Sequence, residues 1–61
     1  MNLREFMETD TYKYADCVEY VGVDGMELTS DNDEDMEILL DCTVLNHRLD
    51  GGYLEIQLNT L

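Results

Sequence analysis

Two strand-like segments, Thr43 to Leu49 and Tyr53 to Leu58, flank Asp50-Gly51-Gly52, and no other stretch constrains the fold as tightly. Glycine adopts positive φ without a Cβ clash, so Gly51-Gly52 suits the centre of a tight hairpin turn. With the turn there, Leu49 faces Leu54, His47 faces Ile56 and Leu45 faces Leu58 on one surface, while Arg48 faces Glu55 on the other. One face is then suited to a core and the other to water.

The remaining elements follow from caps and periodicity. Asn2 can cap a short N-terminal helix with Glu5 three residues on, and Leu3, Phe6 and Met7 share one face of it. Thr9, Asp10 and Thr11 break that periodicity. Tyr14 to Val23, rich in aromatic and β-branched residues, is expected as a strand, with Asp24-Gly25 turning it into a second strand over Met26 to Thr29. Ser30 to Cys42 fits two patterns: Met36, Leu39 and Leu40 form a helical stripe, and Met36, Ile38 and Leu40 alternate as in a strand. A short helix is favoured, because Ser30 with Asp33, or Asp31 with Glu34, offers a cap, and the acids of the segment would sit at the positive end of the helix dipole. The expected fold is a small α+β single domain over residues 1–61, with an N-terminal helix, two antiparallel β-hairpins and a short acidic connecting helix. Neither a linker nor a repeat divides the sequence.

Fifteen Asp and Glu stand against three Lys and Arg among 61 residues, a formal net charge of −12. Small soluble domains usually carry a magnitude of about 2 to 8, so the excess points beyond solubility toward a partner of opposite sign. From Tyr14 to His47 there is no Lys or Arg. Within that span Asp24 and Glu27 lie near the first turn, and Asp31, Asp33, Glu34, Asp35, Glu37 and Asp41 follow on and around the connecting helix. These eight are the candidate partner-binding residues. Direct nucleic-acid binding is excluded by the sign of the charge, and anionic lipid surfaces repel it for the same reason. The opening Met1 to Glu8 has no secretory pattern and no apolar run reaches the roughly 20 residues of a membrane span, so a cytoplasmic location is expected.

Metal and catalytic chemistry find little support. Asp31-Asn32-Asp33-Glu34-Asp35 imitates the start of a calcium-binding loop, but Met36 stands where such a loop needs Gly and Cys42 where it needs a bidentate Glu. Cys17, Cys42 and His47 lack the paired spacing of a zinc site, and they fit two reduced core cysteines and a strand histidine better. A catalytic thiolate is disfavoured among so many carboxylates. No metal, cofactor or enzymatic activity is therefore expected. Of the aromatic residues, Tyr20 is assigned to packing in the first hairpin, and Tyr12, Tyr14 and Tyr53 suit core or interface equally.

Dense carboxylates on a small rigid body can stand in for phosphates and occupy the basic groove of a nucleic-acid-binding enzyme. A non-enzymatic inhibitor that mimics nucleic acid is the function this composition suggests. Met1-Asn2-Leu3-Arg4-Glu5-Phe6-Met7, Asp24-Gly25, Leu39-Leu40-Asp41 and Asp50-Gly51-Gly52-Tyr53-Leu54-Glu55-Ile56 together resemble a loose group of small acidic proteins carried by phages and integrative elements of Firmicutes. Such elements also encode anti-CRISPR proteins and inhibitors of restriction and uracil-DNA glycosylase enzymes, so the resemblance implies a host defence nuclease as the partner. It carries over no specific site residue. The alternative is an accessory adaptor that docks through a strand edge, with Tyr53 to Leu58 as the exposed edge, or that forms a homodimer.

Overall fold

The computed structural model describes residues 1–29 and 32–59. The Asn2 side chain accepts from the Glu5 backbone N–H at 2.8 Å while the Glu5 carboxylate accepts from the Asn2 N–H at 3.1 Å, so the expected capping box opens helix α1 (Leu3–Phe6). Immediately after it, where a break was expected, Thr9 starts a second helix. Its hydroxyl donates to the Phe6 carbonyl at 2.6 Å and accepts from the Tyr12 N–H, capping α2 (Asp10–Tyr14). The expected strand from Tyr14 to Val23 is thereby shortened at its start, since Tyr14 still belongs to α2 and Ala15 is the first extended residue.

Strand β1 (Cys17–Val21) turns back through Gly22 to Met26 into the two-residue β2 (Glu27–Leu28). Gly22 O accepts from Gly25 N at 3.0 Å, so Val23 and Asp24 are the central turn residues and Gly25 follows with φ of 81°. Val23 is thus turn rather than strand. Helix α3 (Asp33–Leu40) is the favoured helix of the ambiguous segment. Asn32 caps it, accepting from Asp35 N at 2.9 Å, in place of the expected Ser30 with Asp33 or Asp31 with Glu34. Ser30 and Asp31 themselves lie outside the described residues. The polypeptide returns in β3 (Val44–Asp50) and β4 (Tyr53–Leu58).

That last hairpin forms as the glycines require. Asp50 pairs with Tyr53 around Gly51 and Gly52, whose φ values of 58° and 90° match a turn with both central residues left-handed. Leu49 pairs with Leu54, His47 with Ile56 and Arg48 with Glu55, as the alternation demands. The register then shifts between Val44 and Asn46, so Val44, not Leu45, meets Leu58. A bulge at Leu45 absorbs one residue.

The four strands order as β2-β1-β4-β3. Both hairpins are antiparallel, and they join through a parallel pairing of β1 with β4 in which Val18 meets Leu54 and Tyr20 meets Ile56. Leu54, Ile56 and Leu58 of β4 are fully buried and form the core with Leu3, Phe6 and Leu39 from the helices. Each such residue is stabilised by about 1.5–3 kcal/mol on burial. Val18, Tyr20, Leu28 and Val44 complete the same face of the sheet, and all three helices cover it. The opposite face carries no helix among the described residues, and of its strand side chains only Val21 is buried.

Candidate acidic interface

Helix α3 turns three of its apolar residues inward and its acidic residues mostly outward, with Ile38 exposed beside Glu34. At 100° per residue, Met36, Leu39 and Leu40 occupy one side and enter the core. Asp33, Glu34, Glu37 and Asp41 fall within an arc of about 100° on the side facing away. Their side chains are exposed, with 69% of the Glu37 and 77% of the Asp41 side chain open to solvent. Asp35 lies off this arc and is half-buried.

Dipole and charge act together along this helix. Asp33, Glu34 and Asp35 occupy the first turn, where the unpaired N–H groups favour negative charge. Asp41, at the C-terminal cap, sits where the dipole opposes it. Arg4 of α1 compensates, placing one guanidinium nitrogen 3.5 Å from Glu37 and 3.5 Å from Asp41. Both pairs are exposed, so they contribute at most about 1 kcal/mol and leave the carboxylates open to a stronger partner. No cation pairs with Asp33 or Glu34 among the described residues.

Asp24 and Glu27, also expected to bind a partner, are not on this surface. Asp24 has a local role: its carboxylate accepts from Met26 N at 3.0 Å and holds the first turn. Glu27 pairs with Val21 in β2 and projects from the uncovered face of the sheet. Asp31 lies outside the described residues. Of the eight expected residues, the seven described divide into five on or capping α3, Asp24 in the first turn and Glu27 on the far side of the sheet.

That far side holds carboxylates absent from the expected set. Glu19 of β1 and Glu55 of β4 are direct neighbours across the parallel pairing, and Arg48 lies opposite Glu55 on β3. The signal was present as alternation: Val18, Tyr20, Leu54 and Ile56 point to the core, so Glu19 and Glu55 must share the opposite surface. What the sequence did not reveal was that β1 and β4 are neighbours.

The cysteines divide as well. Cys42 packs against the core and its Sγ donates to the Ile38 carbonyl at 3.3 Å, whereas Cys17 is exposed on the uncovered face, which corrects the expectation of two core cysteines. His47 is on the helical face, 5.0 Å from the Phe6 ring, and so on the opposite side of the sheet from Cys17. Asp33 and Asp35 are wound into the first turn of α3 and do not form a calcium-type loop; among the described residues no three metal-ligating side chains converge.

Tyr12 joins the core, edge-on to Phe6 at 6.5 Å, and Tyr20 packs there with it. Burial pushes the Tyr20 phenol well above its ordinary pKa, and the adjacent Tyr12 hydroxyl adds to the shift. Tyr14 and Tyr53 remain at the surface. Strand β4 lies between β1 and β3, so Tyr53 to Leu58 is not an exposed edge. The available edges are β2 and β3. Among the described residues no helix is long and apolar enough to cross a membrane. No protein-family model, curated protein or solved structure matches the chain.

Proposed function

We propose that this protein is a non-enzymatic inhibitor that mimics nucleic acid, laying the acidic arc of α3 into the basic groove of a nucleic-acid-binding enzyme. The observation that carries the reading is the grouping of Asp33, Glu34, Glu37 and Asp41 on one exposed side of a helix packed against the core. Asp33 to Asp41 spans about 12 Å of helix axis, so the four carboxylates of the arc average about one per 4 Å. Phosphates recur about every 3.4 Å along one strand of a duplex. A groove lined with Lys and Arg to match phosphates would meet a similar linear charge density here. Glu27, Glu19 and Glu55 extend the negative field around the molecule and would speed encounter with a basic partner. A phage or integrative-element setting would make a host defence nuclease the partner.

Affinity capture from bacterial lysate at low and high salt, with duplex DNA as competitor, tests this. The expected partner is a nucleic-acid-binding enzyme that salt and DNA both release, and that the double variant Asp33→Lys with Glu37→Lys fails to hold. A partner retained through high salt, indifferent to DNA and to the double variant, would refute the mimic and favour an adaptor.

A further inference from the structure

Strand β3 is the longer of the two edges of the sheet. The other edge, β2, is two residues long and offers no template. In β3, the closing pair Asp50 with Tyr53 sets the alternation, so the main-chain groups of Leu49 and His47 point away from β4. At the start of the strand that outer side is already taken, because Val44 N donates to Met1 O at 2.8 Å. The open stretch therefore runs from Leu45 to Leu49.

Charge selects the occupant. A chain of net charge −12 repels its own kind across nearly every surface, but Thr43 to Leu49 contains no carboxylate and includes Arg48 and His47. A basic partner would be drawn to the acidic arc and has least reason to choose this edge. Leu45 and Leu49, 51% and 38% exposed, flank His47 on the helical side and offer apolar area there. A shallow groove lined by Met1, Phe6, Thr9 and Leu45 continues it.

We propose that β3 pairs antiparallel with β3 of a second copy, about a two-fold axis at His47, forming one continuous eight-stranded sheet. In that register Leu49 lies opposite Leu45 of the second copy and Arg48 lies opposite Asn46, twice by symmetry. Shifting the axis to Arg48 would oppose two guanidinium groups directly, which destabilises a strand pair. The His47 N–H is held by Asn46 Oδ1 at 2.9 Å in the single chain, an exposed bond that pairing exchanges for a main-chain carbonyl. The contact is short, so the dimer is expected to be weak and concentration-dependent. It does not depend on the acidic arc having a partner.

Sedimentation equilibrium on the full chain from about 10 µM to about 1 mM separates the outcomes, run at about 50 mM and about 500 mM NaCl, where the screening length falls from roughly 14 Å to roughly 4 Å. The expected species is a dimer that tightens several-fold at high salt, because the two copies repel. A basic partner on α3 should show the reverse salt dependence. Leu49→Lys should give a folded monomer by circular dichroism, and Asn46→Ala, by removing the competing acceptor, should tighten the dimer about fivefold. The α3 double variant should keep the dimer, so the two proposals can fail separately. A monomer at the highest concentration in high salt, a dimer unmoved by Leu49→Lys, or growth beyond two copies would overturn the proposal.

Discussion

Gly52 shows how one residue can tie two elements together. Its carbonyl accepts from Asp16 N at 2.7 Å and Cys17 N at 3.1 Å, fastening the start of β1 to the turn between β3 and β4. A Cβ at Gly52 would meet Asp16 Oδ2 at 2.7 Å on a backbone with φ of +90°, whereas one at Gly51 meets nothing within 4 Å. Gly52→Ala is therefore expected to cost about 1–2 kcal/mol in urea denaturation, from the left-handed backbone above all, because the exposed Asp16 carboxylate can swing away. Gly51→Asn should stay within about 0.5 kcal/mol, since Asn tolerates a left-handed turn position. Tyr20 makes a pH prediction. Its folded pKa is raised, so its contribution is intact below the unfolded value near 10 and is lost as pH climbs above it. Thermal melts from pH 8 to 11 should show a shallower alkaline loss for Tyr20→Phe than for the parent; equal slopes would reject burial of the phenol as the cause. The turn glycines and the Asn2 capping box were legible in the sequence because each is a local device complete within four or five residues. The exposure of Cys17 was not, since it depends on which face of β1 the helices cover.

At the scale of elements, α3 depends on its caps more than on propensity. Eight residues is too short for an autonomous helix, and Asn32 supplies the side-chain acceptor that the first turn needs. Asn32→Ala should destabilise the domain by about 1 kcal/mol, with Asn32→Ser largely restoring it, as read from the denaturation midpoint. If alanine is neutral, the first turn is held instead by its acids and the dipole. The sequence pointed to Ser30 or Asp31 as the cap and passed over Asn32, the next residue, and one-residue differences among such neighbours lie below what local chemistry decides. Residue spacing was equally blind to the bulge at Leu45. Val44 and Leu45 are both apolar and β-compatible, so nothing nearby says which of them meets Leu58. The second helix was missed because Thr9 and Asp10 read as a break in the first stripe, when together they end one helix and cap the next. The acidic arc was legible in composition and only partly in place: four of its residues were named, but Asp24 and Glu27 proved to belong to a turn and to the other face.

The whole molecule folds against its own field. With a net charge of −12 in a domain of Cα radius of gyration 10.7 Å, compaction brings carboxylates together that the unfolded chain keeps apart. The thermal midpoint is expected to rise by several degrees between about 20 mM and about 200 mM NaCl, as the screening length falls below the size of the domain. A flat or falling midpoint would mean that the carboxylates have no net repulsion to relieve. The sheet order was beyond sequence reasoning because the parallel contact of β1 with β4 joins segments some 36 residues apart by non-local packing alone. That contact also fixes when the protein can fold during its synthesis. Leu54, Ile56 and Leu58 are the centre of the core, yet they follow all the described helices and the first hairpin in chain order. Until they leave the ribosome, the helices and the first hairpin have no surface to bury against. Those earlier segments must therefore wait as an unfolded polyanion until β4 is free, kept soluble in the interval by the same carboxylates that strain the finished fold.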